Sequence, residues 1–178
     1  IDPQKFEALN FNPVALLDEL GIEKAQELLA SKDFTAKMKR IHTEFRDYMD
    51  KAPPRDSGTP LVGYFCMEYG LHQSMRLYSG GLGILAGDYL KEISDRNFNL
   101  VAVGLLYRYG YFQQGISLNG EQIHHFEPSK FTLLPLQPVR DERDEWIKIH
   151  VNLKGRTVWA KVWVLNVGRM PLYLLDTD

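Results

Sequence analysis

Between residues 61 and 106 the chain runs from an apolar stretch, through an amphipathic stretch, into a second apolar stretch, and few folds accommodate that order. Leu61 to Met67 (LVGYFCM) is nearly all apolar, the pattern of a strand covered on both faces. Leu82 to Arg96 reads as a helix whose inward face carries Leu82, Leu85, Ala86, Tyr89 and Ile93. Leu100 to Leu106 (LVAVGLL) reads as a second buried strand. Strand, helix and strand form a βαβ unit, which is expected to be parallel and right-handed.

What precedes this unit reads helical. Asn12-Pro13 offers a cap and a first-turn proline, Val14, Leu16, Leu17 and Leu20 follow, and Gly21 closes the turn. A second short helix is expected from Ile22 to Ala30. A third starts after Asp33, with Phe34, Met38, Ile41, Phe45 and Tyr48 on one face, a stripe whose default role is core packing. The breaker cluster from Pro53 to Pro60 separates this helical segment, residues 1–52, from an α/β body over 61–178. Further on, Ile147, Ile149, Val151 and Leu153 alternate with polar residues, Lys154-Gly155-Arg156 turns, and Val158, Ala160, Val162 and Val164 alternate back. Gly168-Arg169 turns again before a last strand. An antiparallel meander thus joins a parallel βαβ core. Both ends read as cut: the chain starts on Ile1-Asp2-Pro3, and its last strand runs straight into Asp176-Thr177-Asp178, so a piece of a longer polypeptide is expected.

Composition narrows the function classes. The 178 residues carry 21 Lys+Arg against 23 Asp+Glu, a net charge of -2, which gives no overall pull towards nucleic acid or an anionic membrane. No apolar run approaches the ~20 residues of a membrane helix. A single cysteine, Cys66, excludes an intrachain disulfide and a cysteine-rich metal site, and points to a reducing, cytoplasmic setting.

The densest constellation is Tyr78-Ser79-Gly80-Gly81-Leu82-Gly83, placed where the helix begins. Helix N-termini expose unpaired N–H groups with partial positive charge, and glycines let a phosphate or sugar approach them. A bare chain-reversing turn is the competing reading, and three glycines in four residues after a buried strand favour ligand binding. No Gly-Lys-Ser/Thr follows, so this is not a phosphate-binding loop of the Walker type. Gly81 to Ala86 matches GxGxxA, yet a dozen residues separate it from its strand, and Tyr107-Arg108 stand where a dinucleotide site needs an acid.

The remaining candidates read as structural. Glu68 follows the first strand and Asp88 lies in the helix, and nothing sets their separation as a catalytic carboxylate pair. His124-His125 point opposite ways along an extended segment, so no metal ligand is assigned. Cys66 reads as a small apolar residue. Trp146, Trp159 and Trp163 read as core, and no catalytic residue is picked out.

Three blocks in order, Tyr64-Phe65-Cys66-Met67-Glu68-Tyr69-Gly70, Tyr78 to Asp88 (YSGGLGILAGD) and Gly104 to Gln114 (GLLYRYGYFQQ), resemble the α-glucan (glycogen/maltodextrin) phosphorylases. SGGLG followed by LAGD is similar to the short bacterial and archaeal branch, in which Ser79 and Ile84 replace an Asn and an Arg frequent elsewhere. The resemblance covers roughly Asn12 to Asp178, the N-terminal part of a much longer enzyme. It implies an α/β fold, a partial N-terminal Rossmann-like lobe of a GT-B glycosyltransferase, with the C-terminal lobe absent from this chain. It implies pyridoxal 5'-phosphate, held by a lysine of that absent lobe and so not expected on this fragment. The implied partners are α-1,4-glucan, inorganic phosphate and glucose 1-phosphate, interconverted by reversible phosphorolysis. Gly80, Gly81 and Leu82 would lie against substrate phosphate and glucose, Glu68 near the substrate, and Tyr69 on the cofactor pocket. The fragment alone is expected to be inactive. Two alternatives stand beside this: a non-catalytic carbohydrate- or phosphate-binding domain, and a glycogen synthase-like GT-B enzyme. The synthases carry a Lys before and an Asp after their GGLG loop, where Leu77 or Tyr78 and Ile84 stand here.

Overall fold

The computed structural model describes residues 1–54 and 58–178; Arg55, Asp56 and Ser57 of the expected boundary cluster lie outside the described residues. Four helices open the chain: α1 (Pro3–Ala8), α2 (Pro13–Asp18), α3 (Ile22–Ala30) and α4 (Lys32–Asp50). Sequence reading missed α1, which Asp2 caps by accepting from the Lys5 N–H. Asn12 caps α2 as expected, accepting from Val14 and Ala15, and its amide also donates to the Leu133 carbonyl at 2.9 Å, tying α2 to the body. Helix α4 starts earlier than expected because Ser31 is its cap.

The stripe on α4 is not core. Met38, Ile41 and Phe45 are all exposed; α4 packs on α3, and its C-terminal end is held to the body. There the Arg169 guanidinium lies 3.8 Å over the Tyr48 ring, donates to the Tyr48 carbonyl, and donates to the Ser94 carbonyl at 3.0 Å. The buried Ser94 hydroxyl completes the clamp, accepting the Arg169 N–H at 2.8 Å and meeting the Tyr48 hydroxyl at 2.9 Å.

The body is a mixed α/β structure. Its strands are β1 (Val62–Phe65), β2 (Leu100–Leu105), β3 (Gln113–Ile116), β4 (Gln122–His125), β5 (Leu136–Pro138), β6 (Lys148–Leu153), β7 (Arg156–Val167) and β8 (Met170–Asp176), and α5 (Gly81–Arg96) joins β1 to β2. The main sheet runs β1-β2-β8-β7-β5, with β6 also on β7; β1, β2 and β8 are parallel and the rest antiparallel. The βαβ unit and the meander are therefore as read. Strands β3 and β4 form a separate hairpin, which the sequence reading did not mark.

Two expectations about burial are corrected. Strand β1 is not covered on both faces: among the described residues it is an edge strand paired only with β2, and Phe65 is 76% exposed. Helix α5 is turned about its axis relative to the expected inward face. Leu82, Leu85 and Tyr89 are exposed, while Gly83, Ala86, Gly87, Leu90, Ile93 and Ser94 are buried. Small residues explain the turn. A Cβ on Gly87 would drive into the Gly70 carbonyl, so the glycine face packs closest and the leucines are rotated outwards.

On that face of the sheet, Leu90, Ala86 and Ile93 pack with Leu100, Ala102, Leu172 and Leu174, joined by Phe131 from a short 3-10 turn. Trp163 and Trp146 pack edge-to-face against each other, with Trp163 against Phe131. Trp159 departs from the expected core role: it is exposed on the meander, stacked on His150.

Candidate functional site

The C-terminal ends of the parallel strands are where an open α/β sheet gathers its ligands. Glu68 leaves β1 there, and Tyr107 leaves β2. Between them Ser79 leads into α5, whose N-cap, Gly80, has no side chain of its own to cap the helix. The glycines of this region divide into two kinds. Gly83 and Gly87 are packing glycines: an added Cβ would collide with the Tyr78 side chain in one case and the Gly70 backbone in the other. Gly80 and Gly81 meet nothing within 4 Å. Gly80 is extended (φ -160°), a conformation open to any residue, so neither packing nor backbone geometry demands glycine there. Their bare surface faces outward at the positively polarised start of the helix.

Glu68 is built into this helix start. One carboxylate oxygen accepts the Ser79 N–H at 3.1 Å and the other the Ser79 hydroxyl at 3.0 Å. These bonds, Ser79 N–H first, with smaller help from the N–H groups of Gly80 and Gly83, hold its acid below the usual carboxylate range. Glu68 is therefore an anion that fixes the loop. A phosphate approaching the same helix end meets that negative charge, so the charge that neutralises it has to come from elsewhere.

A cleft of about 240 Å³ opens beside this loop, lined by Glu68, Arg76, Ser79 and a set of tyrosines that includes Tyr78, Tyr107 and Tyr111. Tyrosine offers a sugar both an apolar face and a hydroxyl. Tyr107 donates to the Met67 carbonyl at 3.0 Å, and burial, then the Glu68 charge, pushes its phenol upward. Arg76 is the one cation of the lining among the described residues and is paired to Glu127 at 2.9 Å.

The expected site residues separate. Glu68 lies in the cleft lining, and Gly80 and Gly81 follow Ser79 at its edge. Leu82 is exposed on the first turn of α5. Tyr69 turns the other way: it is 1% exposed, its hydroxyl lies 2.9 Å from the Val103 carbonyl and 3.1 Å from that of Tyr64, and its ring packs on Gly104. It belongs to the core beneath the cleft. Asp88 is exposed beside Lys91 on α5 and does not line the cleft. Arg76 and the tyrosines of Tyr107-Arg108-Tyr109-Gly110-Tyr111 were not singled out as site residues. Their signal was position, since that run leaves β2 at the same sheet end as Glu68 leaves β1.

Residues 1–75 match a protein family described as a protein of unknown function, DUF3417, a span that takes in β1 and Glu68 and stops before the glycine loop. The whole chain is 40% identical to a maltodextrin phosphorylase of Thermococcus litoralis, and covers 22% of that enzyme. It is 35% identical, again over its whole length, to glycogen phosphorylases of Aquifex aeolicus and Mycobacterium tuberculosis, covering 26% and 22% of them. The chain belongs with the α-glucan phosphorylases, matching their N-terminal part. It spans about a quarter of the length of these phosphorylases. Every residue of the cleft lies inside the matched region. No helix among the described residues is long and apolar enough to cross a membrane.

Proposed function

We propose that this chain forms part of the N-terminal, Rossmann-like lobe of a GT-B α-1,4-glucan phosphorylase, a cytoplasmic enzyme that releases glucose 1-phosphate from glucan and inorganic phosphate. The observation that carries the reading is the pair Gly80 and Gly81, bare for no reason found among the described residues, at the start of α5 beside a tyrosine-rich cleft. In phosphorolysis a phosphate oxygen bonds to C1 of the terminal glucose, the C1–O4 bond breaks, and a proton passes to the departing O4. On this chain the N–H groups at the start of α5 stabilise the negative charge close to C1. The tyrosines position the sugar and keep water away from it, and Glu68 holds the loop so that those N–H groups stay aimed.

Pyridoxal 5'-phosphate fits this chain only in part. No lysine lines the cleft, and Tyr69, the residue implied as its contact, is committed to the core. We assign Tyr69 the support of the cleft floor, and assign the cofactor and its lysine to the remainder of the polypeptide. When bound there, the cofactor's phosphate would supply the proton relay to the substrate phosphate.

Glucose 1-phosphate release from maltodextrin and phosphate tests the reading. The full-length polypeptide carrying this sequence is expected to release it, and the 178-residue chain alone is not. Sugar binding by both with release by neither would favour a non-catalytic carbohydrate-binding domain.

A further inference from the structure

Arg76 lines two cavities. One is the tyrosine-rich cleft. The other, of about 190 Å³, lies between the α1–α2 turn, the loop that precedes the glycines and the segment that follows β4. Its polar lining includes Asn10, Gln73, Arg76, Ser129 and Lys130, together with three leucines.

The walls of this second cavity are fixed by the chain itself. Asn10 and Phe11 are left-handed (φ 52° and 56°). The turn is held by the Phe11 N–H donating to the Phe6 carbonyl at 2.8 Å and by edge-to-face packing of the two rings. Asparagine tolerates that conformation, which brings Asn10 into the lining. The opposite wall is pinned where the Ser129 N–H donates to the Arg108 carbonyl at 2.6 Å, and the Asn12 amide joins the two walls through the Leu133 carbonyl. Arg76 is seated against Gly110, where an added Cβ would come within 2.6 Å of the arginine Cβ.

What these walls present is uncommitted. Among the described residues, the side chains of Asn10, Gln73 and Ser129 make no hydrogen bond, Lys130 has no ion-pair partner, and no carboxylate lines the cavity. Arg76 is paired to Glu127 and keeps 30% of its side chain exposed. The cleft offers a sugar aromatic faces and a carboxylate, and this cavity has neither. Two cations, two amides and a hydroxyl are instead donors converging on an acceptor, and the oxygens of a phosphoryl group are acceptors that carry the matching charge. We propose that the cavity is a second ligand site, distinct from the cleft, that binds a phosphoryl group, with Lys130 as its principal cation and Asn10, Gln73 and Ser129 as its neutral donors. Since Arg76 lines both cavities, an anion held here lowers the positive potential available to a phosphate in the cleft. That consequence, unlike the site itself, rests on the proposed function.

The test titrates the full-length polypeptide, without glucan, with glycerol 3-phosphate and separately with inorganic phosphate, following the phosphorus NMR linewidth. Glycerol 3-phosphate is a monoester with no glucose to transfer. Lys130→Met removes a charge from an exposed side chain and keeps its apolar stem. The variant is expected to weaken binding by about fivefold or more, with melting temperature and kcat for phosphorolysis unchanged. A loss confined to glycerol 3-phosphate assigns a monoester, a loss for inorganic phosphate as well assigns the free ion, and both uphold the site. Absence of saturable binding by the unmodified polypeptide, or unchanged binding of both probes in Lys130→Met, would overturn the proposal. An equal loss of maltotriose binding in Lys130→Met would also overturn it, in favour of a sugar site. Binding is read without turnover, so a Lys130-dependent site with no glucose 1-phosphate release counts against the function alone, and release with Lys130-independent binding counts against this inference alone.

Discussion

The carboxylate of Glu68 takes both hydrogen bonds that Ser79 can donate, the backbone N–H at 3.1 Å and the hydroxyl at 3.0 Å. That latch fixes the residue before the Gly80 N-cap, and the position of Gly80 and Gly81 depends on it.

The latch is pH-dependent in a defined direction. Its folded-state acid lies below the unfolded value, so its stabilising effect is complete above the ordinary glutamate pKa of about 4.3 and is lost as pH falls through the lower, folded value. The Ser79 amide resonance is expected to titrate below pH ~4.3, and to lose that titration in Glu68→Gln. A Ser79 resonance that ignores Glu68→Gln would contradict the latch.

Gly87→Ala tests the close approach of α5 to the loop after β1. Alanine favours a helix over glycine by about 1 kcal/mol. The new methyl group would meet the Gly70 carbonyl, a backbone atom that cannot swing aside. Overpacking of this kind costs about 1–3 kcal/mol, so the net effect is expected to be a loss of stability in chemical denaturation. A stabilised Gly87→Ala would show that the helix sits further out.

Tyr69→Phe distinguishes a core support from a cofactor contact. Removing a hydroxyl held between the Tyr64 and Val103 carbonyls should cost about 0.5–1.5 kcal/mol of stability. The cofactor absorbance of the full-length polypeptide should stay unchanged. A shifted cofactor spectrum with unchanged stability would return Tyr69 to the cofactor pocket.

What was legible in the sequence was what local pattern encodes. Leu100 to Leu105, the α5 span and the Lys154-Gly155 turn follow from periodicity and turn chemistry, and the glycine loop announced its helix start. The phase of α5 was not legible, because counting apolar residues put Leu82 and Leu85 inside, whereas Gly83 and Gly87 set how close the helix comes. The exposure of Leu61, Phe65 and the α4 stripe was not legible either. An apolar run states that burial is needed and says nothing of which segment provides it. Glu68 was found by its place after β1, but its bond to Ser79 joins residues eleven apart and has no local signature. Tyr69, its neighbour, faces the core because consecutive side chains diverge, and a motif cannot say which of the two meets the cleft.

Kinetics and melting of Gly80→Ala in the full-length polypeptide test the central claim most directly. An alanine Cβ at Gly80 touches nothing among the described residues, so the melting temperature is expected to stay within the small range of a neutral surface substitution, about ±0.5 kcal/mol in stability. Phosphorolysis is expected to fall at least tenfold, because the methyl group stands where substrate must approach the helix N–H groups. Unchanged melting with unchanged phosphorolysis would contradict the account, showing that Gly80 faces solvent and that the start of α5 is not where glucan and phosphate bind.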